Sequence, residues 1–493
     1  MGVPRSILVA LALLASALAA SADAQSTIAT VRKLLDDGLV AERQNDLAGA
    51  AALYTKARDL DPANAIVHDR LGFVLGRLGR TADAIASFER AVQLDPRSFD
   101  AQYHLGATLW WTKDLDRALT ALQHAVRLRP DHAEAQYYLG LTLKQQGDVG
   151  AAIAHLRAAA RANPKLVPAH LQLGIVLQSA GDPDGAIESL KAALALDPRS
   201  SDARNSLGLA LMQKGSGDEA IETFRKLAAD EPSNMTARLN LGTACMQSGD
   251  LDSAVSVFRD ALQVEPSHAE VRYNLGVALK QKDDFAGAET ELRRAAELDP
   301  SLAEAPFTLG VVLWQSGRGD EAVRAFREAI AKRPEYADAH YMLGTVLRQQ
   351  GLAAEALAEF QAAIKYRPAS AEAHLSLGQL LKQMGDAPGA AAAFEQAERL
   401  NQRKADAQAS TFAVGVGRQK LKAGDVAGAI AQFREAIRLA ADNPQAHYQL
   451  ALALERTGAQ EEARTHFAEA RRLAPYLQHP APAPGREPSR RPR

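Results

Sequence analysis

The strongest constraint on this chain is a spacing. Proline stands at 62, 96, 130, 164, 198, 232, 266, 300, 334 and 368, nine successive steps of 34 residues without a slip. Glycine keeps the same step from Gly38 to Gly378, and alanine from Ala50 to Ala390. After one lengthening of five residues the glycine and alanine places resume at Gly417 and Ala429, and the last copy has Ala451 and Ala463 there. A period of this length marks a supersecondary unit that cannot bury its apolar face alone and stacks on copies of itself. Length by itself would suggest about three domains; the period argues instead for one continuous array.

One copy, Leu139 to Pro164, shows what the unit is. Leu139, Gly140 and Leu143 share one face of a first helix. Gly147 then supplies a left-handed helix end, and Asp148 caps the free N–H groups of a second helix. Ala152, Leu156 and Ala159 form its apolar stripe, and Pro164 stops it. A glycine inside a helix costs about 1 kcal/mol against alanine, yet twelve of the thirteen first helices carry one. That cost persists only where a missing side chain lets a neighbour come close enough to recover it in packing.

With these residues in view, the chain resembles the tetratricopeptide repeat family. Counting from the start of each first helix, a small residue at position eight, Ala at twenty and Pro at thirty-two recur. Position twenty-four is aromatic in nine copies, from Tyr54 and Phe88 to Phe433 and Phe467, and Leu122, Leu156, Leu190 and Leu292 fill the rest. The resemblance covers residues 31–477 and implies an all-α, right-handed α-solenoid superhelix of about thirteen helix-turn-helix repeats. The family's Trp at position four is absent, and His68, His170, His340, His374 and His447, or Gln and Arg, stand there instead.

The expected layout is a signal peptide at 1–24, eleven repeats over 31–404, an insertion at 405–409, two repeats over 410–477 and a disordered tail at 478–493. Arg5, the apolar run Ile7 to Ala20 and the Ala22-Asp23-Ala24 site form a secretory signal, with cleavage near Ala24-Gln25 and a periplasmic or secreted mature chain. The run is short for a membrane span. The single cysteine, Cys245, takes a core Leu place and reads as a small buried apolar residue. Asp37, at a Leu place in the first copy, suits a terminal face in water. Around 405 the second helix of the eleventh copy is expected to run on, a change of superhelix geometry more than a domain border. The tail holds five prolines and four arginines.

A formal net charge of −2 argues against the chain as a whole being a nucleic-acid binder. By resemblance, partners bind a concave groove lined by the first helices at positions two, five, nine, twelve and thirteen. Position five supplies Tyr103, Tyr137, Tyr273, Phe307, Tyr341 and Tyr448; position twelve supplies Trp110, Lys144, Lys280, Trp314, Arg348 and Lys382. Rings with cationic or amide neighbours suit an extended peptide. The alternative is that the rings pack between helices and the lysines are solvated.

Other chemistries find no support. The position-four histidines lie one helix pair apart, too far to share a zinc, and no phosphate-loop, zinc-protease or nucleophile-elbow motif occurs. Asp148, Asp182, Asp250, Asp386 and Asp425 are accounted for as helix caps. Asn240 and Asn274 are too short an asparagine ladder to imply sugar-transferase kinship. The expectation is therefore an exported scaffold, not an enzyme and without cofactor, for envelope proteins or extended peptides. Self-association through the C-terminal end around Phe467 and Leu473 and a targeting arm for a separate glycosyltransferase or polysaccharide-export complex remain as alternatives.

Overall fold

The computed structural model describes residues 25–474 and 477. The signal-like run and the Pro/Arg-rich tail lie outside the described residues. The described residues form 25 helices and no strand, numbered α1 to α25 in chain order, with α1 at 25–43. First and second helices alternate and pack consecutively: α3 (Ala65–Arg77) on α4 (Thr81–Leu94), α5 (Phe99–Trp111) on α6 (Leu115–Leu128), and α7 (Ala133–Gln145) on α8 (Val149–Ala162).

Local chemistry sets the helix ends. Gly147 has φ of +83°, its N–H bonds to Lys144 O, and the N–H of Asp148 bonds back to Leu143 O. The Asp148 carboxylate then accepts from the Ala151 N–H at 3.0 Å. The other expected caps, Asp182, Asp250, Asp386 and Asp425, do the same for their own helices. At the other turn Asn163 caps α8 immediately before Pro164, and its side chain accepts from Lys165 N.

The position-eight glycines lie against the side chain at position twenty-four. A Cβ at Gly310 would sit 2.6 Å from Phe326 Cε1, and one at Gly140 would sit 2.8 Å from Leu156 Cγ. Tyr54, Phe224, Phe258, Phe326, Phe360 and Phe433 are fully buried there. Between repeats, the position-three residue (Ala135, for example) inserts against Phe99, Tyr103, Ala125 and Val126 of the repeat before. Cys245 is buried, and burial pushes its thiol pKa up.

Position four, where the family has Trp, supplies a hydrogen bond. His68, His170, His340 and His374 reach the carbonyl of the proline six residues earlier at 2.9–3.2 Å. Gln136 donates to Pro130 O, and Arg204 to Pro198 O. Pro306 has no donor and lies in the first turn of α17 (Glu304–Gln315). There Lys332, from the second helix of the same repeat, donates to Pro300 O at 2.6 Å instead.

By the density of contacts the described residues divide into two compact units, which meet in sequence at Ala180-Gly181. The boundary falls inside the fifth repeat, between α9 (Val167–Ser179) and α10 (Pro183–Leu196). Within the second unit the five-residue insertion is helical: α22 runs unbroken over 36 residues, Ala387–Lys422, serving as second helix of repeat eleven and first helix of repeat twelve. Its N-terminal part packs on α21 (Ala371–Gln383) and its C-terminal part on α23 (Val426–Leu439). Residues 401–409 between them are exposed apart from half-buried Asp406. Among the described residues no helix is long and apolar enough to cross a membrane.

The glycine contact gives a paired prediction. Gly310→Ala should lower the urea midpoint, because overpacking against the buried Phe326 costs about 1–3 kcal/mol and outweighs the gain in helix propensity. Gly415→Ala, in α22 with nothing within 4 Å, should raise it by up to about 1 kcal/mol. Equal shifts in both variants would show that the close approach is not what selects glycine.

Candidate functional site

In each unit the first helices of neighbouring repeats pack on one another as well as on their own second helices. The second helices of neighbouring repeats make no comparable contact. Each stack is therefore tighter on the first-helix side, and that side is its inner face.

In the first unit this face carries a run of rings. Phe73 of α3 meets His104 of α5 at 5.3 Å between centroids, and His104 meets Tyr103 at 5.4 Å. Tyr103 and Trp110 of α5 both meet Tyr138 of α7, at 6.2 and 5.5 Å, and Trp110 meets Trp111 edge-on at 5.0 Å. Lys113 Nζ lies 5.1 Å from the Trp110 ring centre. Trp111 is 67% exposed. The Trp110 indole Nε1 is buried and has no hydrogen-bond partner among the described residues.

Of the twelve residues expected to line the groove, eleven are half-buried and Lys382 is exposed. The position-five rings belong to both readings at once. Tyr103 stacks on Phe99 at 5.8 Å, Tyr137 joins a cluster with Ala159, Ala160 and Ala169, and Tyr341 packs at 6.0 Å from Phe360. Phe307 touches Phe326 and Tyr336, and Tyr448 packs on Phe467. Burial, with Tyr138 and Glu134 nearby, raises the Tyr103 pKa to about 12, and burial also raises that of Tyr137.

Position twelve ties repeats together. Lys144 Nζ donates to Gln172 Oε1 at 2.9 Å, and burial lowers its pKa. The Trp314 indole donates to Gln349 Oε1 at 2.8 Å, and Arg348 donates to Gln379 Oε1 at 2.7 Å. Tyr273 and Lys280 sit half-buried on α15 (Ala269–Gln281).

Position six was read in the sequence only for an asparagine ladder. It carries His104, Tyr138, Gln172 and Asn240, and each joins a neighbouring first helix: His104 bonds to Asp69 at 2.8 Å and Asn240 to Asn205 at 2.8 Å. The signal was available, since position six follows position five on the helix and Tyr137-Tyr138 are adjacent. Asn274 instead bonds to Glu270 O of its own helix, so Asn240 and Asn274 form no ladder.

Models of tetratricopeptide repeats match residues 77–142, 133–166, 178–215 and 417–458, and the model of the cilia and flagella-associated protein 70 C-terminal domain matches 200–414. The chain belongs to the tetratricopeptide repeat family. Among solved structures, YrrB, a repeat protein of this family with an unusual peptide-binding site, is 24% identical over 37% of this chain and 95% of its own, with TM-score 0.36. The Cut9–Hcn1 hetero-tetramer of the APC/C is 16% identical over 90% of this chain and 94% of its own, with TM-score 0.35. A tetratricopeptide repeat protein of Parabacteroides merdae is 21% identical over 48% and 93%, with TM-score 0.39. No curated protein matches the chain.

In this tetratricopeptide chain two histidines, His340 and His466, shift in opposite directions. His340 Nδ1 bonds to Glu359 at 2.6 Å, which raises its pKa. In the last repeat His447 Nε2 lies 3.0 Å from Ala441 O and its Nδ1 lies 2.9 Å from Nδ1 of His466. Burial first, and then His447, lower the His466 pKa, against the opposing pull of Glu462 and Glu469 and with a small contribution from Arg434.

The two signs oppose each other. A raised folded pKa gives His340 a stabilisation that is complete below about 6.5 and is lost as pH rises through the folded value. A lowered one makes His466 costly to protonate, so stability falls as pH drops below about 6.5. Taking the pH from 7.5 to 5.5 should therefore lower the amide protection factors, corrected for intrinsic exchange at each pH, in α25 (Gln460–Leu473), while those in α19 (Ala337–Gln349) and α20 (Ala353–Tyr366) hold or rise. Parallel changes in the two regions would refute it.

Proposed function

We propose that the chain is a non-catalytic scaffold that takes extended segments of other proteins along the inner face of its first helices, and that it works outside the cytoplasm in cell-envelope assembly. Proteins of this family bind other proteins or peptides and are generally scaffolds without catalysis. The observation that carries the reading is the aromatic run of α3, α5 and α7. Its rings are fixed by packing, and Trp111 at its edge is 67% exposed and can meet a ligand.

Rigid aromatic and arginine anchors are the side chains that dominate binding energy when they close on a partner. Flanking amides such as Gln349 and Gln379 can exchange their intramolecular bonds for bonds to a ligand backbone. Among the described residues no three His, Cys, Asp or Glu side chains converge on a metal-sized space. Export is supported by the Ile7–Ala20 run and the Ala22-Asp23-Ala24 site.

The test is a crosslinking pull-down of the mature chain from its native envelope. Trp111→Ala, Lys144→Ala, Trp314→Ala and Arg348→Ala should together reduce partner capture at least tenfold, about 1.4 kcal/mol, with helical content unchanged. Arg327→Ala removes an exposed second-helix pair with Glu355 and should leave capture as it is. Undiminished capture by the groove variant would overturn the reading.

A further inference from the structure

The inner face of repeats eight to eleven, within the second unit, carries its charge on opposite edges. Position two, in the first turn of each first helix, is acidic in all four: Glu270, Glu304, Asp338 and Glu372. Position twelve, near the other end, has Lys280 on α15, Trp314 on α17, Arg348 on α19 and Lys382 on α21. Ten residues of helix put the two edges about 15 Å apart. Both rows suit the helix dipole, yet they differ in what holds them.

On the acidic edge the chain supplies cations of its own, Arg333 to Glu304 and Arg367 to Asp338. On the other edge none of the three cations has a carboxylate partner among the described residues, and Arg348 meets only the neutral amide of Gln379. Cations nearby are paired: Lys282 with Asp252, Arg318 with Glu289 and Glu321, and Arg327 with Glu355. The carboxylates in the turns beside this edge are engaged as well, since Asp284 and Asp386 cap the helices that follow and Asp320 accepts from Gln350. Asp283 is left over, one carboxylate against three cations.

Spacing narrows the ligand. These first helices contact their neighbours, and packed helix axes lie about 8–10 Å apart. A polyproline II strand advances about 9 Å in three residues and, with about three residues per turn, sends every third side chain to the same side. A β-strand cannot match this, because residues three apart point to opposite faces. A polyproline II segment laid across the four helices therefore presents residues i, i+3, i+6 and i+9 to Lys280, Trp314, Arg348 and Lys382 in turn. Gln281, Gln315, Gln349 and Gln383, exposed at position thirteen, stand beside the row with amides for the free backbone groups of such a strand.

We propose that this edge binds an extended acidic segment of a partner protein, with carboxylates at i, i+6 and i+9 on Lys280, Arg348 and Lys382 and an apolar side chain at i+3 on Trp314. Unpaired cations at fixed intervals steer the segment and set its register, and the acidic far edge repels it. The proposal rests on the groove reading above and names the class of its ligand.

The test is fluorescence anisotropy of the full chain with a capped, labelled peptide of the proposed pattern, EAPLAPEAPE. It should bind about tenfold more tightly than the same peptide with Gln for Glu, and than EEEPAPLAPA, which has the same composition with its acids adjacent and so on three different sides of the strand. Lys280→Gln, Arg348→Gln and Lys382→Gln together should abolish that preference with helical content unchanged. Arg324→Gln, which removes an exposed cation from the second helix α18 (Gly319–Lys332), should leave it intact. Lys382→Glu should reverse the preference at the last peptide residue, from Glu to Lys.

Equal binding of the three peptides, an undiminished preference in the triple variant, or no reversal with Lys382→Glu overturns the proposal. So does an anionic oligosaccharide that displaces the labelled peptide more strongly than unlabelled peptide does. If the peptides fail while the groove substitutions still abolish partner capture, the scaffold reading stands without this ligand. If those substitutions leave partner capture untouched, the scaffold reading fails, whatever the peptides show.

Discussion

Each repeat is held by the approach of one backbone to one side chain. At position eight the first helix has no Cβ, and the ring or leucine at position twenty-four fills that space, as Phe326 does over Gly310 and Leu156 over Gly140. The contact is backbone to side chain, so it fixes the separation of the two helices more tightly than two interdigitating side chains would. Alanine at position twenty does not enlarge the gap, and alanine or valine at position three sets the distance to the repeat before. Two short distances, repeated, determine where every other residue falls.

Once these distances are set, the polar positions have little freedom. The carbonyl at position thirty-two lies where a histidine, glutamine or arginine at position four can reach it, and the residue type matters less than the donor. Repeat nine shows this: with Pro306 at position four, Lys332 reaches Pro300 O from the second helix. Pro300 lies exposed at the turn, so this bond contributes at most about 1 kcal/mol and fixes the turn more than it rescues a buried group. The outer faces carry exposed pairs with the same regularity, such as Arg327 with Glu355 and Arg434 with Glu462. Being solvated, such pairs contribute about 0–1 kcal/mol each and add register more than strength.

The fold was legible because its determinants are local and periodic. Gly147, Asp148 and Pro164 each act through the backbone within a few residues, so spacing alone places the helix ends, and the structure has them there. The groove was less legible because it is made between repeats. Position five reads equally as packing or as recognition, and in Tyr103 it is both: one face lies on Phe99 and it also meets Tyr138 of the next first helix. Position six was read only for asparagines because its residues are otherwise chemically varied, from His104 to Tyr138 to Asn240. What they share is a neighbour in the adjacent repeat, and that is a property of the stack, invisible in a single copy.

The passage through α22 shows how a stack ends inside a chain. Position three is buried alanine or valine wherever a repeat follows another in stacked register, from Val67 to Ala373 and again at Ala446. In repeat twelve it is Phe412, 75% exposed, too large for the slot that takes Ala135 or Ala169. The same repeat has Gln419 and Lys420 where others bury Val346 and Leu347, and repeat eleven has Glu398 where others have Ile330 or Ile364. Both facing surfaces are thus built like the first repeat, whose Asp37 is exposed at a leucine place. A repeat array stays soluble only if its outermost faces are polar. Here that requirement is met twice within the second unit, and the helical, largely exposed stretch 401–409 lies between the two faces. The extra five residues matter less as an insertion than as the length over which a turn has become a helix, and it is the changed end residues, more than the changed spacing, that keep repeat twelve from closing onto repeat eleven.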